Sequence, residues 1–75
     1  MHEISRFFRV PLAEIGFVRA IVEGYEGLAQ VVSNDADRGE IEIVIPEGLA
    51  AEAETMIARL LGQGCVEIPR PLDWR

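Results

Sequence analysis

Few side chains in this 75-residue chain can do covalent chemistry: Ser5, Ser33, Thr55 and Cys65, together with Tyr25 and the carboxylates. None stands at a recognisable spacing from a base. His2 is the only imidazole and sits beside the chain end, where side chains are poorly ordered; it reads as a surface residue, not a general base. Cys65 precedes Val66 at the start of an apolar run and reads as a small packing residue, because a reactive thiol needs a lowered pKa that no neighbour announces. Asp35, Asp37 and Glu40 are spaced like a fragment of a calcium loop. Gly39 falls one position off that register, however, and a strand pattern follows where a helix belongs, so a solvated hairpin turn is expected. Gly62-Gln63-Gly64 follows a helix whereas phosphate loops precede one, which makes it a helix terminator. Glu23 and Glu26 flank the end of the first helix beside Tyr25. They read as a solvated, charged helix end, since paired carboxylates without a cleft do not make a hydrolase.

Composition removes further classes. The seven basic residues are all arginine, so Schiff-base chemistry and a phosphate-loop lysine are excluded. One cysteine and one histidine can form neither an internal disulfide nor the four-ligand set of a structural zinc. No metal or cofactor is expected. A net charge of -6 repels a phosphate backbone, which argues against nucleic acid. No run approaches the ~20 apolar residues of a membrane span, and Met1 to Arg6 lacks the pattern of a secretory signal; a soluble, cytoplasmic protein is the expectation. With 49% hydrophobic and 27% charged residues the chain has the balance of a packed domain. At this length it is one domain, residues 1–75, with 69–75 as a proline-containing tail.

The candidate residues must be positioned by the elements around them. Ile4 to Val10 alternates as a first strand, with Ile4, Phe8 and Val10 on one side and Ser5, Phe7 and Arg9 on the other. Pro11 and Glu14 suit the opening of a helix that runs to about Tyr25, where Ile15, Val18, Val22 and Tyr25 cluster and Phe17 and Ile21 widen the apolar arc. Gly24 and Gly27 bracket its end, and Leu28 to Val32 is extended. The polar run 33–39 turns the chain. Glu40 to Ile45 then gives the clearest pattern, with Ile41, Ile43 and Ile45 facing one way, Glu40 and Glu42 the other, and Pro46 closing the strand. A second helix from about Gly48 to Leu61 carries Leu49, Ala53, Met56, Ile57, Leu60 and Leu61 as one stripe. Cys65 to Ile68 is a short last strand, which Pro69 and Pro71 end.

Strand, helix, strand, strand, helix, strand is the split βαβ order. Right-handed crossovers place strands one and three in the centre with both helices on one face. The predicted fold is therefore α+β: a ferredoxin-like βαββαβ sandwich with a four-stranded antiparallel sheet. The open sheet face is expected to carry Phe7 and Val44 beside Arg9, Glu42 and Glu67. Phe7, the pair Phe17 and Ile21, and Trp74 are three surpluses of apolar surface. They point to a homodimer of two-fold symmetry, or, for Trp74, to a tail folded back on its own domain.

Phe7-Phe8-Arg9-Val10, Glu14-Ile15 with Phe17, Val22 through Ala29, and Ile41 through Pro46 together resemble a bacterial family of short uncharacterised proteins, a domain of unknown function. Tyr25-Glu26-Gly27-Leu28-Ala29 is the most distinctive part, and the resemblance implies no activity. At fold level, Gly39 through Ile45, the amphipathic helix and Val66-Glu67-Ile68 resemble ACT-type amino-acid-sensing modules. That resemblance implies dimerisation and a small effector near the first loop, although Val10-Pro11-Leu12 stands where an Asp, Pro and Gly are usual. The leading expectation is a non-catalytic homodimeric module that binds a small effector or regulates, with Phe7, Arg9, Phe17, Ile21, Tyr25, Glu26, Val44 and Trp74 as ligand or interface candidates. An alternative is a subunit that engages a protein partner through the open sheet face and Trp74. A third is a small enzyme with Tyr25, Glu26 or Arg9 at the dimer seam.

Overall fold

The computed structural model describes residues 2–25, 27–35 and 37–74. Its strands are β1 (Glu3–Arg9), β2 (Gln30–Asp35), β3 (Glu40–Pro46) and β4 (Val66–Ile68), and its helices α1 (Ile15–Gly24) and α2 (Ala50–Gly62). One sheet has the order β2-β3-β1-β4, with every described pairing antiparallel. This is the ferredoxin-like arrangement, with β3 and β1 central. Each helix is entered through a short 3-10 turn, Leu12–Glu14 and Glu47–Leu49, immediately after a proline with φ near −55°, at Pro11 and Pro46. The fixed ring torsion of proline supplies the entry in place of a side-chain cap, which neither turn has.

Alternation decides which side chains make the core. Phe8 from β1, Val10 just past its end and Ile41, Ile43 and Ile45 from β3 point to the helices, where they meet Val18, Ile21 and Val22 of α1 and Ala53, Met56, Ile57 and Leu60 of α2. Phe8, Ile41, Ile43, Met56 and Leu60 are fully enclosed. At roughly 1.5–3 kcal/mol for each large apolar side chain taken out of water, these contacts dominate the stabilisation. Cys65 closes the core from the start of the last segment, buried and free.

Four expectations need correcting. The second strand extends through Asp35, so half of the polar run is paired with β3; the ladder's hydrogen bonds satisfy its backbone. Val32 falls at an irregularity between Val31 and Ser33 and is exposed. Ile21 is buried against the core at 7% exposure and adds nothing to the apolar surplus, whereas Leu61, expected in the inner stripe of α2, is exposed. Glu67 lies on the helix side of the sheet. Its register partner is Phe8, and residues opposite one another in a ladder share a face. There it meets the guanidinium of Arg6, which also donates to Glu54 on α2 at 3.2 Å. Arg6 holds the Glu67 carboxyl below its usual range.

The turn from β2 into β3 ends on Gly39, whose φ of +70° most side chains avoid. The space beside its Cα is also closed, because a Cβ there would fall 2.5 Å from the Val10 carbonyl oxygen. Gly39 donates nothing to Val10 but accepts from its N–H, extending the β1–β3 ladder by one bond.

Candidate functional site

The sheet face away from the helices carries Phe7 and Arg9 from β1, Glu40, Glu42 and Val44 from β3, and Ile68 from β4, as their registers require. Residues 69–74 fold back over part of it. Trp74 stands edge-on to Phe7, ring centroids 5.4 Å apart at 84°, and its indole N–H donates to Glu42 Oε1 at 2.9 Å. The Arg70 guanidinium lies 5.4 Å from the Phe7 ring centre, so Phe7 retains only 4% of its exposure. The folded-back tail anticipated for Trp74 is thus the arrangement found. Two of the three apolar surpluses, Phe7 and Trp74, are satisfied within one chain.

Ion pairs pin the same tail. Arg38 donates from both terminal nitrogens to the two oxygens of Asp73, a bidentate geometry with directional strength. It also lies 3.7 Å from Glu40 Oε1 and 3.7 Å from an Asp35 oxygen. The Arg38 guanidinium holds the Asp73 carboxyl below its usual range. Glu40 is the only charged residue buried among those described, and its Oε1 accepts no hydrogen bond. Its other oxygen accepts from Arg9 Nη2 at a long 3.3 Å.

Between the tail and the sheet remains a shallow cleft of about 390 Å³, lined by Arg9, Glu40, Ile68 and tail residues 69–72. Two arginines therefore share one opening. Among the described residues, Arg9 has a single long contact to a carboxylate, and no carboxylate pairs with Arg70. Such guanidiniums hold most of their five donors available for a planar anion.

The helix face carries the second group of candidates. Phe17, Ala20, Ile21, Gly24 and Tyr25 of α1 and its end border a groove of about 520 Å³ with Arg59 of α2. Arg59 stacks 5.8 Å from the Tyr25 ring centre and donates to its hydroxyl at 3.2 Å. Phe17 is 52% exposed, the unsatisfied remnant of the apolar surplus. A third and smaller hollow of about 250 Å³ runs past Glu3, Gly27, Gln30 and Val44 at the other end of the sheet face.

The eight candidate residues thus separate into two sites. Phe7, Arg9, Val44 and Trp74 share the sheet face, Phe17, Ile21 and Tyr25 share the helix groove, and Glu26 lies outside the described residues. Sequence reasoning missed Arg70, Arg59 and Arg38, and weighed Glu40 only as a fragment of a calcium loop. Arg70 had a signal: it continues the parity of Val66 and Ile68, which face away from the helices. Arg59 had none, because its partner Tyr25 is 34 residues distant.

Burial pushes the Cys65 thiol up from its usual range, and the Glu14 carboxylate adds to the effect; the thiolate that would attack is the disfavoured form. No group of three or more metal-ligating side chains occurs among the described residues. No helix in that span is long and apolar enough to cross a membrane.

Residues 8–61 match the family described as a domain of unknown function, DUF4911. The chain belongs to that family. The DUF4911 match takes in Arg9, α1, β3 and all but the last residue of α2, and ends before β4 and the tail that supplies Arg70 and Trp74. No curated protein and no solved structure matches the chain.

Proposed function

We propose that this DUF4911 protein is a non-catalytic homodimeric module that binds a small organic anion in the cleft between the tail and the sheet. The observation that carries the reading is the pair Arg9 and Arg70 at one opening, each with unused donors. In a chain of net charge -6, two guanidiniums against the single carboxylate of Glu40 make this lining a local exception. Coulomb attraction favours an anion there, and forked donors favour a carboxylate or phosphate. Ile68 and Leu72 border the same cleft, so an apolar body beside the anionic group gains by leaving water. The cleft adjoins the end of β1, and effector sensing of the kind the ACT-type resemblance implies would place its ligand here. In this reading Trp74 serves as a wall of the tail, held by Phe7 and Glu42.

Titration of the isotopically labelled protein with phenylacetate, isovalerate and inorganic phosphate, followed by NMR, tests the reading. Saturable shifts at residues 9, 40 and 68–72, lost in the Arg9→Gln/Arg70→Gln double variant, are expected for at least one probe. Shifts confined to the Tyr25–Arg59 groove, or none that saturate, would contradict it.

A further inference from the structure

The dimer in this reading needs a surface, and the sheet face and both sheet edges suit a second copy poorly. The sheet face is covered in part by the tail. Edge strand β2 carries an irregularity at Val32, and edge strand β4 has three residues followed by Pro69; interrupted and short edges resist strand-to-strand pairing. The helix groove beside α1 remains, with Phe17 half exposed at its border. We infer that a second copy docks here, α1 against α1 in antiparallel order about a two-fold axis beside Ala20.

Geometry and charge both favour that occupant. Gly16, Ala20 and Gly24 recur every four residues on the outer side of α1, all exposed, and a Cβ at either glycine would meet nothing within 4 Å. Helix axes can therefore approach closely along this line. Under the two-fold operation Gly16 falls opposite Gly24 of the second copy. Arg19 and Glu23 are exposed on one flank, four residues apart, so the antiparallel arrangement sets each Arg19, which also keeps an interaction of its own chain, toward the Glu23 of the other copy. This surface is thus complementary in charge to itself, which an isologous interface requires. On the other flank Phe17 turns toward Tyr25 of the second copy, where the groove can cover it.

The inference rests on the homodimer of the proposed function and deepens it by naming the surface. Sedimentation equilibrium of the wild-type chain and of Ala20→Arg, Arg19→Glu, Glu23→Arg and Arg19→Glu/Glu23→Arg tests it, with circular dichroism to show that each variant folds. A dimeric wild type, a monomeric Ala20→Arg, and single charge reversals that weaken association about fivefold to tenfold and are rescued in the double reversal are expected, the size being that of two exposed ion pairs. A folded Ala20→Arg that still dimerises as tightly as the wild type would overturn this surface while leaving the homodimer standing. A wild type that stays monomeric would overturn both. Should Ala20→Arg fail to fold, the charge-reversal set decides alone: no rescue in the double variant overturns the surface.

Discussion

Cys65 and Glu67 make opposite statements about pH. The folded chain favours the neutral Cys65 thiol, so its contribution to stability is whole below the unfolded thiol value of about 8.5 and is lost as pH rises toward and through the higher folded value. Native protein should react slowly with a thiol reagent and urea-unfolded protein rapidly; a fast native reaction would contradict the burial. Glu67 works the other way, because Arg6 lowers its carboxyl. That contribution is present above the unfolded value of about 4.3 and is lost as pH falls through the lower folded one. Urea unfolding as a function of pH should therefore show a shallower acid decline in Glu67→Gln than in wild type. Phe7 is the residue on which the covered sheet face depends. Phe7→Ala should cost about 3 kcal/mol and shift Trp74 fluorescence to the red, whereas an unchanged emission would mean that the two rings do not meet.

Gly39 sets how β2 turns into β3, and both its φ of +70° and the 2.5 Å approach to the Val10 carbonyl forbid a side chain. Gly27 shares a left-handed φ, +80°, yet faces open space. Denaturant unfolding should accordingly show Gly39→Ala losing about 2 kcal/mol or more and Gly27→Ala about 1 kcal/mol. Equal losses would show that the close approach to Val10 adds nothing. These elements were largely legible in the sequence, because the alternation of Ile41, Ile43 and Ile45 and the stripe of Ala53, Met56, Ile57 and Leu60 each have only one face to bury. The side on which Glu67 lies was not. An acid between Val66 and Ile68 looks outward by itself, and only pairing with Phe8, together with Arg6 waiting on that side, turns it toward the helices. The tail was half legible: Pro69 and Pro71 forbid a strand, but the contacts of Trp74 with Phe7 and Glu42 reach back 32 residues or more and leave no local pattern. Arg9 was visible as a candidate for the same reason that Arg70 was overlooked, since one sits in a clear strand and the other just beyond a short one.

At the scale of the whole molecule, the proposed reading gives the two faces of the sandwich different work. The sheet face, partly roofed by its own tail, keeps a cleft with two arginines, and the helix face keeps an exposed phenylalanine beside a line of small residues. A domain of this size buries a modest fraction of its surface, and self-association through the helices would add apolar burial without obstructing the cleft. Native mass spectrometry of the protein as purified from cells reads assembly and retained ligand in one spectrum. The account predicts twice the 8.3 kDa chain mass, carrying an additional small anion that Arg9→Gln/Arg70→Gln no longer retains; a bare species of a single chain mass would contradict it.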